Sequence, residues 1–180
     1  MFYPTMGQQP FETIVEAHHG EIYRYLRRVT ARSSEADDLS QETFLRAYRA
    51  WRALSPDANV RAWLFTIATN LARNHFRSET RRRTAHAAVR VTLAASDGAG
   101  PEGETLFNEA RTRLDALVAT LPLKQRAAFI LRKMHDLDYD AIARNLGCSA
   151  ESARAHVFQA LKKIRRGLGG PELPRMEPQS

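Results

Sequence analysis

Apolar positions recur at helical spacing along most of the chain. Phe11, Ile14, Val15, His18, Ile22, Leu26 and Val29 share one face, which predicts a helix over residues 11–30. Gly20 sits inside that helix at about 1 kcal/mol against Ala, enough to expect a bend or break there. Next, Leu39, Thr43, Ala47 and Ala50 repeat beside an aromatic stripe of Phe44, Tyr48 and Trp51. Ser33 and Ser34 offer a cap for this helix, with acids in its first turn where the helix dipole favours them. After a loop holding Pro56, Asn59 can cap a third helix that buries Trp63, Leu64, Ile67, Ala68 and Leu71. From Thr84 the chain turns Ala-, Gly- and Ser-rich, with little periodicity beyond Val89, Val91 and Leu93.

Periodicity resumes at Leu106 and Phe107 and runs through Leu114, Leu117, Val118 and Leu121 to Pro122, which ends that helix or opens the next. A short helix at Tyr139–Asn145, a turn at Gly147, and a longer helix capped by Ser149 follow at helix-turn-helix spacing. Ala153, Val157, Leu161 and Ile164 form the buried side of that last helix. No strand-like alternation and no internal repeat occurs. The predicted class is therefore all-α: two small helical bundles joined by a flexible linker. The units are 11–83, a linker at 84–104, a helix-turn-helix unit at 105–168, and a disordered tail at 169–180 with Pro171, Pro174 and Pro178.

The polar faces carry the candidate chemistry. Asn70, Arg73, Asn74 and Arg77 are spaced three and four apart, so they line one strip of the third helix. Such a strip is either a solvated face or a surface for phosphates and base edges; the basic run Arg81, Arg82, Arg83 favours the second. In a helix-turn-helix the second helix enters the major groove, which would bring Glu151, Arg154, Ala155, His156 and Gln159 to bases and Lys162, Lys163, Arg165 and Arg166 to phosphates.

Composition narrows this further. The chain of 180 residues carries a formal charge of +7, which calls for an anionic partner, nucleic acid or an anionic membrane surface. No apolar run reaches the roughly 20 residues that span a bilayer, so no membrane insertion is expected. The N-terminus MFYPTMGQQP lacks the order of a secretory signal, and a cytoplasmic location is expected. A lone cysteine, Cys148, excludes an intramolecular disulfide and reads as a small packed residue. The six histidines (His18, His19, His75, His86, His135, His156) show no metal-ligand spacing and no carboxylate cluster joins them in sequence, so neither metal nor cofactor is expected.

Two stretches then match one family. DDLSQETFLRAYRAW followed by WLFTIATNLARNHFR resembles region 2 of bacterial RNA polymerase sigma factors, and LPLKQRAAFILRKMHDLDYDAIARNLGCS with the basic helix after it resembles region 4. With a linker where a third region would lie, the chain is similar to the extracytoplasmic-function group of the sigma-70 family. The resemblance implies a promoter-specificity subunit that is not itself an enzyme, with core RNA polymerase (clamp helices and flap), promoter DNA and an anti-sigma factor as partners. It places polymerase docking on Asp38, Leu39, Gln41, Glu42, Phe44, Leu45 and Arg46, with Phe44 and Tyr48 as exposed aromatic surface for the inhibitor. Minus-ten recognition falls to Asn59, Arg61, Asn70, Arg73, Asn74 and Arg77, and minus-thirty-five recognition to Ser149, Glu151, Ser152, Arg154, Ala155, His156, Gln159, Lys162 and Lys163. The chain departs from the family in having Asn74 where Asp is frequent, Ala141 where Glu is frequent, and His156 and Gln159 where arginines are common. Two other classes fit parts of the pattern. A stand-alone helix-turn-helix regulator leaves residues 37–51 unexplained, and a decoy that titrates an anti-sigma factor has no need of Arg73, Arg77 and Arg154.

Overall fold

The computed structural model describes residues 10–86 and 106–169. Among them are seven helices and no strand: α1 (Phe11–Thr30), α2 (Ser33–Ala50), α3 (Val60–His86), α4 (Leu106–Ala119), α5 (Leu123–Lys133), α6 (Tyr139–Leu146) and α7 (Ala150–Gly167). A 3-10 turn, Trp51–Ala53, follows α2. The expected linker beyond His86, including Val89, Val91 and Leu93, and the expected disordered tail beyond Gly169 lie outside the described residues.

The helices form where their apolar period predicts, with local differences. α1 runs unbroken through Gly20, because Ile14, Ile22, Leu26 and Val29 bury on both sides of it and outweigh the local cost of glycine. Ser33 is already helical and Arg32 occupies the cap position without a side-chain bond, so the two serines are not caps; instead Arg32 pairs with Glu35 at 2.7 Å. Asn59 does cap α3, accepting from the Ala62 amide at 2.9 Å. α3 continues to His86, past the predicted linker start at Thr84. Pro122 opens α5 rather than ending α4, which stops at Ala119. Asp138 and Ser149 cap α6 and α7 by accepting from Ala141 and Ser152 amides, each worth about 1 kcal/mol. Gly147 between them has φ +61, the left-handed value that a glycine turn supplies.

α1, α2 and α3 pack as one group and α4 to α7 as a second, and the two groups also pack together. α1 lies against α4 and α5, and α3 against α6, so that a single buried cluster runs from Ile14 to Ile164. Tyr25 and Phe65 sit at its centre, fully buried and edge to face at 5.2 Å. Phe65, Ala72 and Ala160 belong to this core although the face pattern did not mark them, while Trp63, Ile67 and Leu161 are only half-buried.

Candidate nucleic-acid interface

Three surfaces carry the residues singled out above. On α2, Asp38, Gln41, Leu45 and Arg46 are exposed, and Arg46 Nε donates to Glu42 at 2.6 Å. Leu45 is 44% and Tyr48 59% exposed, which leaves apolar area on an otherwise polar face. Such area suits a protein partner better than solvent. Leu39 and Phe44 of the same set turn inward; Phe44 lies 5.7 Å from the His19 ring. Phe44 is therefore not exposed aromatic surface, since the helical period puts it one step round toward α1. Tyr48 remains outside, its ring edge to face with Phe11 at 5.4 Å.

On α3, Asn70, Asn74 and Arg77 are exposed in one strip, and Arg73 is half-buried with Nη1 3.5 Å from Asn70 Oδ1. Asn59 and Arg61 do not join the strip. The Asn59 side chain is occupied as the cap. Arg61 turns inward, donating from Nε to both Glu21 carboxylate oxygens at 3.0 and 3.1 Å and from Nη2 to the His135 carbonyl at 2.6 Å. Its guanidinium also lies over Phe65, 5.4 Å from the ring centre.

On α7, Glu151, Ser152, Arg154, Ala155, Gln159 and Lys163 are exposed, while His156 and Lys162 are half-buried. Ser149 serves as the cap. Burial first, then the nearby Lys124 charge, holds the His156 imidazole below its usual range, so it offers a neutral ring where an arginine would offer charge. Sequence spacing did not reveal two neighbours of this helix. Tyr139 has the Arg154 guanidinium 5.0 Å and the Arg132 guanidinium 5.2 Å from its ring centre, and Gln125 Nε2 donates to Gln159 Oε1 at 2.6 Å. Both come from other helices, so no periodicity on α7 could mark them. Cys148 is a free thiol packed against the core.

Folding also joins histidines to carboxylates that are remote in sequence. His75 Nε2 lies 3.1 Å from Glu35 on α2, with Glu79 one turn further along α3, and all three donor sets fall within 4.8 Å. The expectation that no carboxylate cluster meets the histidines is thus corrected. The cause is the packing of α2 on α3, and Arg32 Nη1 donates to the other Glu35 oxygen at 2.7 Å. No helix among the described residues is long and apolar enough to cross a membrane.

The sequence matches the family descriptions Sigma-70 region 2 over residues 14–82 and Sigma-70, region 4 over residues 111–164. RNA polymerase sigma-H factor of Pseudomonas aeruginosa is 30% identical over 168 residues, a span of 89% of this chain and 87% of that protein. The ECF RNA polymerase sigma-E factor of Escherichia coli K12 is 29% identical over 164 residues, 87% of this chain and 85% of that protein. The fold resembles that of the sigma factor RpoE solved with the anti-sigma factor NepR from Bartonella quintana, at TM-score 0.73 and 21% identity over 88% of this chain and 96% of the other. CnrH, solved with the cytosolic domain of CnrY, gives TM-score 0.64 at 21% identity over 88% and 87%. With region 2 and region 4 in order on one short all-α chain and a relative 30% identical along nearly its whole length, the protein belongs to the extracytoplasmic-function group of the sigma-70 family of RNA polymerase sigma factors.

Proposed function

We propose that this sigma factor joins core RNA polymerase through the outer face of α2, reads and opens the minus-ten element with the α3 strip, and anchors at the minus-thirty-five element with α7. The observation that carries this reading is the pairing of an exposed apolar patch on α2, Leu45 and Tyr48, with basic strips on two other helices of the same chain. A stand-alone DNA-binding protein needs only the strips. Asp38, Gln41, Leu45 and Arg46 would meet the polymerase directly, with Leu39 and Phe44 shaping the helix from beneath. On α3, Asn70 and Asn74 offer amides to unstacked bases while Arg73 and Arg77 neutralise phosphates. On α7, Arg154 and Gln159 face base edges. Nucleotidyl transfer belongs to the polymerase, the site of action is the cytoplasm, and an anti-sigma factor covering the Tyr48 surface restrains the protein until a signal arrives.

Gel filtration with purified core enzyme tests the docking half. The native chain is expected to co-elute with polymerase and Leu45→Asp to lose at least tenfold in affinity, because a charge replaces apolar area at the centre of the patch. Equal affinities would remove α2 as the docking face. Binding of the free chain to promoter DNA is expected to be weak and strongly salt-dependent. Each phosphate met by Arg77, Lys163 and their neighbours releases counterions and adds about −0.9 to the log–log slope. Titration between 50 and 200 mM salt that left the affinity flat would rule out the phosphate contacts.

A further inference from the structure

Three side chains with metal-binding chemistry meet where the first turn of α2 lies against α3. Glu35 comes from α2, His75 and Glu79 from α3, and one donor atom of each falls within 4.8 Å of the other two. All three side chains are half-buried, which sets them apart from carboxylates that merely share a wet surface. His75 and Glu79 stand four residues apart, the spacing at which one face of a helix offers two ligands to one ion. His75 Nε2 lies 3.1 Å from Glu35 Oε2. Ligands of a tetrahedral Zn2+ stand about 3.3 Å apart, so this pair already has the required separation. Glu79, on a long side chain, has the least distance left to close.

A second observation points into the same gap. His75 Nε2 is shut off from solvent and makes no hydrogen bond, because Glu35 Oε2 faces it out of line. Buried polar atoms are rarely left so. An imidazolium paired with these carboxylates would aim an N–H at one of them, and neither is aligned to receive it. Arg32 Nη1 donates to Glu35 Oε1 at 2.7 Å, which fixes the carboxylate with its other oxygen toward His75. Hydrogen bonds of this kind orient ligating carboxylates in metal sites.

We propose that Glu35, His75 and Glu79 bind a divalent cation of the Zn2+ class and that the ion clasps the first turn of α2 to α3. An imidazole with two carboxylates suits such an ion, with water in the fourth position, whereas Ca2+ and Mg2+ favour oxygen ligands alone. The clasp sits where α3 most needs one. Leu71 and Ala72 are the last buried residues of that helix among those described, so the half carrying Asn74 and Arg77 has little core to hold it. The bound ion ties that half back to α2. Arg32 and the formal charge of +7 oppose the cation, so binding is expected in the micromolar range rather than tighter.

The test uses the untagged full-length chain, freed of metal with a chelator and titrated with Zn2+ alone by calorimetry. Neither polymerase nor DNA is present, so its outcome is separate from those of the docking and promoter experiments. A single ion is expected to bind with a dissociation constant of about 1 μM. At about a hundredfold excess over that constant, Tm should rise by about 5 °C or more and amide exchange across residues 70–86 should slow. Co2+ in place of Zn2+ should give the visible bands of a four-coordinate ion. His75→Ala and, separately, Glu79→Gln should each weaken binding at least tenfold while circular dichroism keeps the helix content. His19→Gln, an exposed histidine outside the cluster, should leave binding unchanged. A chain that takes up no Zn2+ at these concentrations would overturn the proposal and leave the cluster an ion pair. Equal binding by the native chain and both cluster variants would overturn it as well, since the ion would then sit on other side chains.

Discussion

Tyr25→Ala is expected to lower stability by about 3–5 kcal/mol, the largest single effect of any side chain in the fold. Tyr25 is wholly buried, its ring packs edge to face on Phe65, and its hydroxyl bonds Thr69 at 2.8 Å. The same ring faces His135, so its loss opens a cavity where α1, α3 and the segment after α5 meet. Removing the ring also strands the buried Thr69 hydroxyl, adding to the cavity cost. For a chain of this size each kcal/mol lowers Tm by roughly 2–4 °C, so calorimetry should record a fall of at least about 6 °C. Tyr25→Phe keeps the ring and should cost only about 1 kcal/mol. A loss under about 1 kcal/mol in the alanine variant would mean the two helical groups do not share this core.

The second large effect concerns promoter use. Arg73→Ala removes a cation from the α3 strip and Arg154→Ala one from the exposed face of α7. A specific base or phosphate contact is worth about 1–3 kcal/mol, and separated sites add, so the double variant should lose on the order of a hundredfold or more in run-off transcription. Core-polymerase binding should stay intact, because neither residue lies on α2. Wild-type transcription by the double variant would break the link between these helices and DNA.

Much of the fold was legible because periodicity reports which face of a helix is buried, and here that face meets other helices of the same chain. Leu39, Thr43 and Ala47, or Ala153, Val157 and Ile164, fell inside as their spacing required. The helix-turn-helix was equally readable, since Gly147 and the Ser149 cap act within a few residues of where they stand. What escaped was everything decided between helices. Phe65 is buried because α3 is covered on two sides, by α1 and by α6, so a one-sided pattern underestimates its core. Arg61 looks like a DNA-facing arginine until Glu21, forty residues upstream, claims it. Phe44 and Tyr48 share an aromatic stripe, yet Phe44 packs against His19 of α1 and is buried, while Tyr48 meets Phe11 edge to face and stays exposed. The packing of the two helical groups through Asn145, Arg126 and His135 leaves no trace in spacing, because each bond joins residues tens of positions apart or more.

Multi-round run-off transcription with purified core polymerase, on a template carrying a promoter selected by this chain, tests the central claim most directly. The account expects RNA of one defined start site that appears only when the chain is present and fades when Arg73 and Arg154 are replaced. Core enzyme that neither retains the chain nor starts RNA with it, on any selected template, would contradict the account.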